Sequence, residues 1–238
     1  MKRSFIILCL SVLPAISLAD NHSFSNLSKN VYIGLGGGII VPNDVDINVS
    51  AAATINGVAL SANVSGEFEF DNGYEINGLV GYRITDYLSL ETEMGYSKFD
   101  YDKVNVTGGG TATSGGVTFT GTASTSYDID GSISSFSMIF GPMLDFDIND
   151  KAEFLIGGGI GFSSYNDEIK TVGGSTGLSY DEDFMDLASR IKTGFNYSIS
   201  DQTHIQATYG FSFVDSGIDN FTDDFTSHSY NAKFVYNF

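Results

Sequence analysis

Apolar and polar side chains alternate along much of the chain, a pattern that predicts β-strands. In residues 228–238 one parity is mostly apolar or aromatic and includes Phe234, Tyr236 and Phe238, whereas the other is polar except for Val235. Seven earlier stretches have the same two-sided character or are Gly-rich versions of it. They are residues 31–41, 74–84, 88–97, 135–146, 154–163, 184–199 and 205–213.

Short and long connections separate these eight stretches in turn. Short turns are expected near residues 85–87, 147–151 and 200–203. Longer outward loops are expected near residues 42–72, 102–131, 166–182 and 215–226. An even number of antiparallel strands with this alternation is typical of bacterial outer-membrane barrels.

The strand lengths also fit a membrane. Most of the stretches have about 10 to 13 residues, close to the ~9–11 that a tilted strand needs to cross the hydrocarbon. Aromatic residues concentrate near the strand ends, where rings meet lipid headgroups. Because lipid offers no partner to an unpaired backbone edge, the sheet must close. We therefore predict an all-β protein, a closed antiparallel up-and-down transmembrane β-barrel of eight strands.

The stretch at residues 42–72 leaves a second strand count open. It alternates on both sides of Asn56-Gly57, and this dipeptide between alternating runs predicts a hairpin. In the main interpretation the hairpin lies outside the membrane, above the first two strands. In the alternative it inserts into the sheet and makes a ten-stranded barrel. The hairpin is Ala-rich and lacks aromatic ends, which favours the first interpretation.

The beginning of the chain predicts export. Lys2 and Arg3 precede an apolar run, and Ser17-Leu18-Ala19 suits cleavage before Asp20. The apolar run is too short for a transmembrane helix, which needs roughly 20 residues. Residues 1–19 are thus expected to be a cleaved signal peptide.

The mature chain, residues 20–238, is expected to form the barrel domain after an N-terminal extension at residues 20–30. The one cysteine, Cys9, falls inside the signal peptide, so no disulfide or thiolate site is expected after cleavage. The chain has 11 basic and 29 acidic residues, a formal net charge of −18. This charge makes nucleic acid a poor partner.

Particular segments resemble a known family. The ending YNAKFVYNF, with Phe234, Tyr236 and Phe238, resembles the terminal signal that delivers outer-membrane barrels to their assembly machinery. The segments GYRITDYLSLETEMGYS (residues 81–97) and FLIGGGIGFSSY (residues 154–165) resemble opacity-like and OmpA-like small outer-membrane surface proteins.

That resemblance implies an eight-stranded barrel in the bacterial outer membrane, with periplasmic turns and variable extracellular loops. It implies a role as surface antigen, adhesin or structural component, and it carries over no catalytic residues. The partners expected are outer-membrane lipid and lipopolysaccharide, the barrel-assembly machinery and a host or cell-surface ligand, and the expected state is a monomer.

The polar parity places charged side chains inside the barrel. Eight strands leave room for little more than side chains, and an unpaired charge there would be costly. We therefore expect a paired, mixed-sign network that fills the interior as a polar plug; a narrow ion path is the alternative. The residues are Glu75, Arg83, Glu91, Glu93, Asp186, Arg190, Lys192 and Lys233.

Other features give no convincing enzyme or metal site. The glycine runs at residues 34–38 and 157–161 are flanked by strand rather than by the helix that a phosphate-binding loop needs, so they are expected to relieve crowding. His22, His204 and His228 are scattered, which argues against a hydrolase or a His-based metal centre. We expect no enzyme, cofactor, metal site or catalytic residue.

Acidic clusters occur at residues 181–183 and among residues 215–224, in outward loops. Solvated loops are the main interpretation. The alternative is divalent-ion binding, which would bridge these carboxylates to lipopolysaccharide phosphates.

Three hypotheses for function follow. The first is a surface protein with a structural or interaction role, as a surface antigen or adhesin, through its extracellular loops. The second is a small channel or a carrier of apolar solutes. The third is a lipid-modifying enzyme of the outer membrane, which would need a Ser, a His and a carboxylate on one face of the barrel.

Overall fold

A computed structural model describes residues 30–174, 180–214 and 225–238 of the chain. The expected signal peptide, the N-terminal extension up to residue 29 and the acidic stretch 215–224 lie outside the described residues. The strands are β1 (Val31–Pro42), β2 (Val45–Ile55), β3 (Val58–Phe70), β4 (Gly73–Thr85), β5 (Leu88–Ser114), β6 (Val117–Asn149), β7 (Ala152–Val172), β8 (Tyr180–Ser198), β9 (Thr203–Val214) and β10 (Phe225–Asn237).

Eight of these strands close into a ring of antiparallel pairs. Its order is β1, β4, β5, β6, β7, β8, β9 and β10, and β10 returns to β1. The predicted closed antiparallel barrel is confirmed. The whole sheet holds ten strands, the number of the alternative interpretation, but β2 and β3 stay outside the ring.

The hairpin of β2 and β3 forms at the predicted Asn-Gly turn. Asn56 has φ 51° and Gly57 has φ 79°, and Ile55 pairs directly with Val58. Two successive positive φ angles match the twist of a two-residue hairpin, which is why this dipeptide is favoured there. The hairpin then pairs through β3 with the far half of β5.

Strands β5 and β6 are much longer than the barrel requires, with 27 and 33 residues. They turn at Gly115 and Gly116, both with positive φ. The stretches expected as loops, residues 42–72 and 102–131, are therefore mainly strand. The reason is that the two-residue alternation continues through both and a glycine-containing turn reverses each.

The far halves of β5 and β6 join β2 and β3 in a four-stranded sheet beyond the ring, ordered β2, β3, β5, β6. We call this part the distal sheet: β2 with residues 58–68, 104–114 and 117–127. It rises from the end of the barrel that carries the longer connections, the loop end. The short turns and the final residue lie at the opposite end, the turn end.

The ring is apolar outside and polar inside. Leu35, Ile160, Ile191 and Phe234 point outward and are more than 60% exposed, whereas inward polar residues such as Asn77 are almost fully buried. A soluble protein rarely exposes so continuous an apolar surface. Over the described residues, no helix is long and apolar enough to cross a membrane.

The glycine runs serve close packing. A Cβ on Gly38 would collide with the backbone oxygen of Tyr230, and one on Gly81 would collide with the ring of Tyr32. Both runs lie within strands, Gly34 to Gly38 in β1 and Gly157 to Gly161 in β7. Their backbone amides are used in sheet pairing.

A charge on the outward face tests the membrane placement. Ile191 lies seven residues from the end of β8 at Ser198. That is roughly 23 Å along the strand, close to the midplane of a hydrocarbon core about 30 Å thick for a strand tilted by about 45°. We expect Ile191→Arg to lower the free energy of unfolding by about 2–4 kcal/mol.

The control is Tyr197→Arg, which adds the same charge on the same face near the turn end and should cost only about 0–1 kcal/mol. Denaturant unfolding of the protein in lipid vesicles measures both. Equal small effects at the two positions would contradict a lipid-facing exterior.

Candidate functional site: the barrel interior and the distal sheet

A cluster of ion pairs fills the middle of the barrel, and Glu93 is its centre. The two carboxylate oxygens of Glu93 accept hydrogen bonds from Arg190 at 2.7 Å, Lys192 at 3.0 Å and Lys233 at 2.7 Å. All four side chains are largely buried. One carboxylate thus holds three cations from β8 and β10.

Two further carboxylates complete the cluster. Glu75 accepts from Arg190 at 3.0 Å, and Glu91 accepts from Lys192 at 2.7 Å. Asn231 and Tyr32 donate to the remaining oxygens of Glu75 and Glu91, at 3.0 and 2.9 Å. Three carboxylates therefore face three cations, and this balance is what makes buried charges tolerable in a low-dielectric interior.

Strand geometry explains why these residues meet. Glu91 and Glu93 are two positions apart on β5, so they share its inner side, as do Arg190 and Lys192 on β8. Closure of the ring brings the acidic inner side of β5 towards the basic inner side of β8. The structure thus brings together six of the eight charged residues expected inside.

The other two lie away from the cluster. Arg83 is half-buried near the turn end and interacts electrostatically with Asp145. Asp186 is half-buried on β8, towards the loop end. Asp145 and Tyr32 were not among the expected interior residues, although both stand on the inward parity of their strands and that parity could have identified them.

An apolar cluster closes the loop end of the interior. Phe99 stacks on Phe225 with ring centroids 5.6 Å apart, and Tyr165 meets Phe225 edge-on at 6.0 Å. The sequence predicts a polar plug throughout and not this layer, because Phe99, Tyr165 and Phe225 fall just beyond the ends of the predicted strands, where the sequence assigns no inner side. Other members include Ile40, Tyr101, Val104, Ile129, Ile133 and Val214.

Two cavities lined by described residues of the interior are small. A cavity of about 30 Å³ lies beside Glu91 and Lys192, and another of about 20 Å³ lies beside Phe99 and Tyr165. A cavity needs about 10–15 Å³ of such space for one water molecule, so each has room for one or two. The described interior is packed rather than open.

The distal sheet has two different faces. Directly paired residues of antiparallel strands lie on one face, as in the row Ala53, Leu60, Ala112 and Phe119. The face with this row, which we call the apolar face, carries no charged side chain. Its larger residues are Ile47, Val49, Ile55, Val58, Leu60, Val64, Val106, Val117 and Phe119, with Ala51, Ala53, Ala62, Gly110, Ala112 and Gly121 between them.

The apolar face continues the inner side of the barrel. Val104 belongs to the apolar cluster of the loop end, and Phe68 and Val106 pack partly against that cluster. A bulge between Asp100 and Lys103 shifts the parity of β5. Because of this shift, apolar positions stay on the inner side although they change from odd to even numbers.

The opposite face is polar and joined by side-chain hydrogen bonds. Ser61 and Thr111 lie 2.7 Å apart, and Thr113 and Thr118 lie 2.9 Å apart. At the base of this face Lys103 pairs with Glu69 at 2.9 Å. This hydrogen bond lowers the pKa of the Glu69 carboxyl and raises the pKa of the Lys103 ammonium.

The sequence matches the family described as the outer membrane protein β-barrel domain, over residues 5–238. The chain belongs to this family. It is therefore a protein of the bacterial outer membrane, with its turn end periplasmic and its loop end extracellular. No curated protein matches the chain.

Similar folds occur in solved structures of outer-membrane proteins. Neisserial surface protein A is 15% identical to this chain. The match covers 87% of this chain and 97% of that protein, with a TM-score of 0.45. OprG from Pseudomonas aeruginosa is 14% identical, and the match covers 89% of this chain and 97% of OprG, with a TM-score of 0.47. The attachment invasion locus protein Ail of Yersinia pestis, in complex with the heparin analogue sucrose octasulfate, is 12% identical and covers 87% and 99%, with a TM-score of 0.42.

The expected assembly signal lies on the outer side of the barrel. Phe234 and Tyr236 stand on the lipid-facing side of β10, and Phe238 follows at the end of the chain. All three rings are exposed. Recognition of these rings by the assembly machinery stays a prediction.

The histidines do not assemble with one another. His204, at the periplasmic end, contacts Ser198 at 2.9 Å through Nδ1 and the Asn237 amide nitrogen at 2.6 Å through Nε2. The ring thus bridges the end of β8 to the last strand through its two nitrogens. His228 contacts Tyr209 at the other end, and His22 lies outside the described residues.

Metal ligands are not clustered in the part of the chain that the structure describes: no group of three or more His, Cys, Asp or Glu is arranged to hold an ion. The acidic residues at 181–183 and 215–224 lie outside the side chains described. Divalent-ion binding there stays an alternative from sequence.

Removing the charge of Glu93 tests the energetic role of the ion cluster. We expect Glu93→Gln to lower the free energy of unfolding by about 3–5 kcal/mol, because three cations would face two carboxylates in a buried space. Glu67→Gln, on the exposed polar face of the distal sheet, is the matched control and should have almost no effect.

The double variant Glu93→Gln/Lys233→Met restores the charge balance and should recover part of the loss. Denaturant unfolding in lipid vesicles gives the three values. A Glu93→Gln protein as stable as the wild type would show that the cluster is not needed for the fold.

Proposed function

We propose that this outer-membrane protein is a surface interaction protein, with the barrel as a closed anchor and the distal sheet as the part that meets partners. The observation that carries the proposal is the combination of a filled interior with a four-stranded sheet that projects from the extracellular end. A surface antigen or an adhesin has this division of labour.

The filled interior supports an anchor rather than a channel. Two layers block the lumen in series: the apolar cluster at the extracellular mouth and the ion cluster below it. An ion path would require Glu93 to release its cations inside a low-dielectric space, and leaving a buried charge without its partner costs about 3–5 kcal/mol.

The length of the distal sheet supports an interaction role. At about 3.3 Å per residue, the 33 residues of β6 span roughly 110 Å, whereas about 9–11 residues cross the hydrocarbon. A large part of β5 and β6 therefore lies outside the membrane. Sheet pairing makes this projection a defined surface rather than a set of independent loops.

Lipid is the partner of the outer barrel surface, where apolar side chains such as Leu35 and Ile160 are exposed. We further propose that the projecting part contacts lipopolysaccharide or a host or cell-surface ligand, and that Phe234, Tyr236 and Phe238 are read by the assembly machinery.

A carrier of apolar solutes is the second candidate. The observation that favours it is the continuity between the apolar face of the distal sheet and the apolar cluster in the barrel mouth. An apolar solute would have a continuous apolar surface leading to the barrel mouth, but the ion cluster lies between the mouth and the periplasm. Uptake of a fluorescent fatty acid into vesicles that contain the protein would favour this candidate over the first.

Conductance tests the closed barrel. We expect the refolded protein to give no steady single-channel openings in a planar bilayer, since the ion cluster and the apolar cluster lie across the lumen and the cavities beside them are water-sized. Slower gel migration after heating, the usual sign of a folded barrel, checks that the sample is native. Reproducible openings of uniform size would overturn the anchor role.

Trimming the distal sheet tests where the interactions lie. Asp46 pairs with Glu67, and Val104 pairs with Tyr127. Replacing residues 47–66 and 105–126 each by Asn-Gly should close shorter hairpins at these pairs and leave the barrel intact. We expect bacteria that display the trimmed protein to lose adhesion to epithelial cells and to immobilised lipopolysaccharide.

Equal expression, measured with an antibody against a tag at the N-terminus of the mature protein in permeabilised cells, is one control for this comparison, and slower gel migration after heating verifies that both proteins are folded barrels. Adhesion that is the same with the trimmed and full-length proteins would remove the distal sheet from the proposed function.

A further inference from the structure

The apolar face of the distal sheet is exposed although its composition is that of a buried surface. Phe119 is 71% exposed, Val49 54% and Ile55 56%. A sheet with one apolar side is normally covered by a second layer, because exposed apolar area in water is unfavourable.

We propose that a second copy of this chain covers the apolar face, so that two distal sheets pack face to face and join two molecules. The inference rests on the proposed function, since it names a partner for the same projecting sheet. It also replaces the monomer expected from sequence.

Charge supports a second copy. The chain carries a formal net charge of −18, yet the apolar face has no charged side chain. Asp46, Glu67 and Lys103 all stand on the opposite face. Packing of two apolar faces would therefore leave the charges of both sheets in solvent, where repulsion is weakened by salt.

Shape supports self-association. A shallow depression of about 610 Å³ is lined mainly by residues of the apolar face, among them Ala51, Ala62, Gly110, Gly121, Leu60 and Phe119. A protruding ring and a floor of small residues thus lie side by side. Under a two-fold axis each copy offers both features, so that Phe119 of one copy enters the depression of the other, as isologous interfaces require.

The area is sufficient. Four strands about 4.8 Å apart and about ten residues of about 3.4 Å each give a face of roughly 650 Å². Two such faces bury roughly 1,300 Å², within the range of about 1,200–2,000 Å² for stable interfaces.

Pairing through strand edges would not have the same effect. β2 and residues 117–128 of β6 are the outer edges of the distal sheet. A copy added at either edge would add strands and widen the sheet, but it would leave the apolar face in water. Face-to-face packing removes that exposure.

The position of the face sets the orientation of the two copies. Because the face continues the inner side of the barrel, it looks over the mouth of its own barrel. Two copies in one membrane would need overlapping barrels to bring these faces together. Copies in opposite membranes avoid the clash, so the pairing connects two membranes head to head.

Vesicle tethering tests this proposal. Full-length protein is reconstituted outward-facing into phosphatidylcholine–phosphatidylglycerol vesicles, and association is followed by light scattering and by energy transfer between two vesicle dyes. We expect vesicles with protein to associate with one another. Phe119→Glu should weaken or slow the association by at least about tenfold, because it buries an unpaired charge twice in each pair.

Thr118→Glu is the matched control, since it adds the same charge at the other neighbouring position, which is exposed on the polar face and does not line the depression. It should leave tethering near the wild-type level. Slower gel migration after heating verifies folding of both variants. Equal tethering by Phe119→Glu and the wild type would overturn the proposal, as would the absence of tethering in the wild type.

A mixture of protein-containing and protein-free vesicles identifies what covers the apolar face. Association of protein-containing vesicles with protein-free vesicles would mean that the apolar face meets lipid, and would overturn pairing between copies. This failure is distinguishable from failure of the proposed function, which is measured by conductance and by adhesion of the trimmed protein. A protein that neither conducts nor tethers, but still adheres through its distal sheet, would retain the proposed function alone.

Discussion

The need to pair every backbone amide and carbonyl in hydrocarbon governs this structure. Lipid cannot replace a missing hydrogen bond, so the strands that cross the membrane must form a ring without edges. The pairing of β10 with β1 supplies that closure over residues 32–42 and 227–237. Outside the membrane the constraint is lifted, and there the described sheet has two free edges, at β2 and in the far half of β6.

Closure also dictates the interior. Eight strands enclose a space of side-chain dimensions, so whatever points inward must fill it and satisfy its own polarity. The chain solves this in two layers. Glu93 gathers three cations in the middle of the barrel, and Phe99 and Phe225 stack at the mouth. Both layers close the lumen, which is why the surface rather than the interior is the proposed place of function.

The distal sheet continues the alternating pattern of the barrel strands, but outside the membrane its two faces meet different surroundings. Within the membrane, an apolar outside meets lipid and an inner side meets the enclosed space. Above the membrane, the outer side carries Ser61, Thr111 and Thr118 and suits water, whereas the inner side is apolar and stands open. The bulge after Asp100 maintains this inner side by shifting the parity of β5. The exposed side is the feature that calls for a partner.

Sequence alone determined the barrel, its eight ring strands, the hairpin at Asn56-Gly57 and the inward parity of the charged residues. These features depend on a two-residue period and on local turn preferences, both of which can be recognised from neighbouring positions in the chain. It did not determine which inward charges meet, since Glu93 and Lys233 are brought together only by the register and closure of distant strands. Nor did it reveal the apolar layer or the apolar face of the distal sheet. Those depend on which residues lie opposite one another across four strands, and only the tertiary structure fixes that pairing.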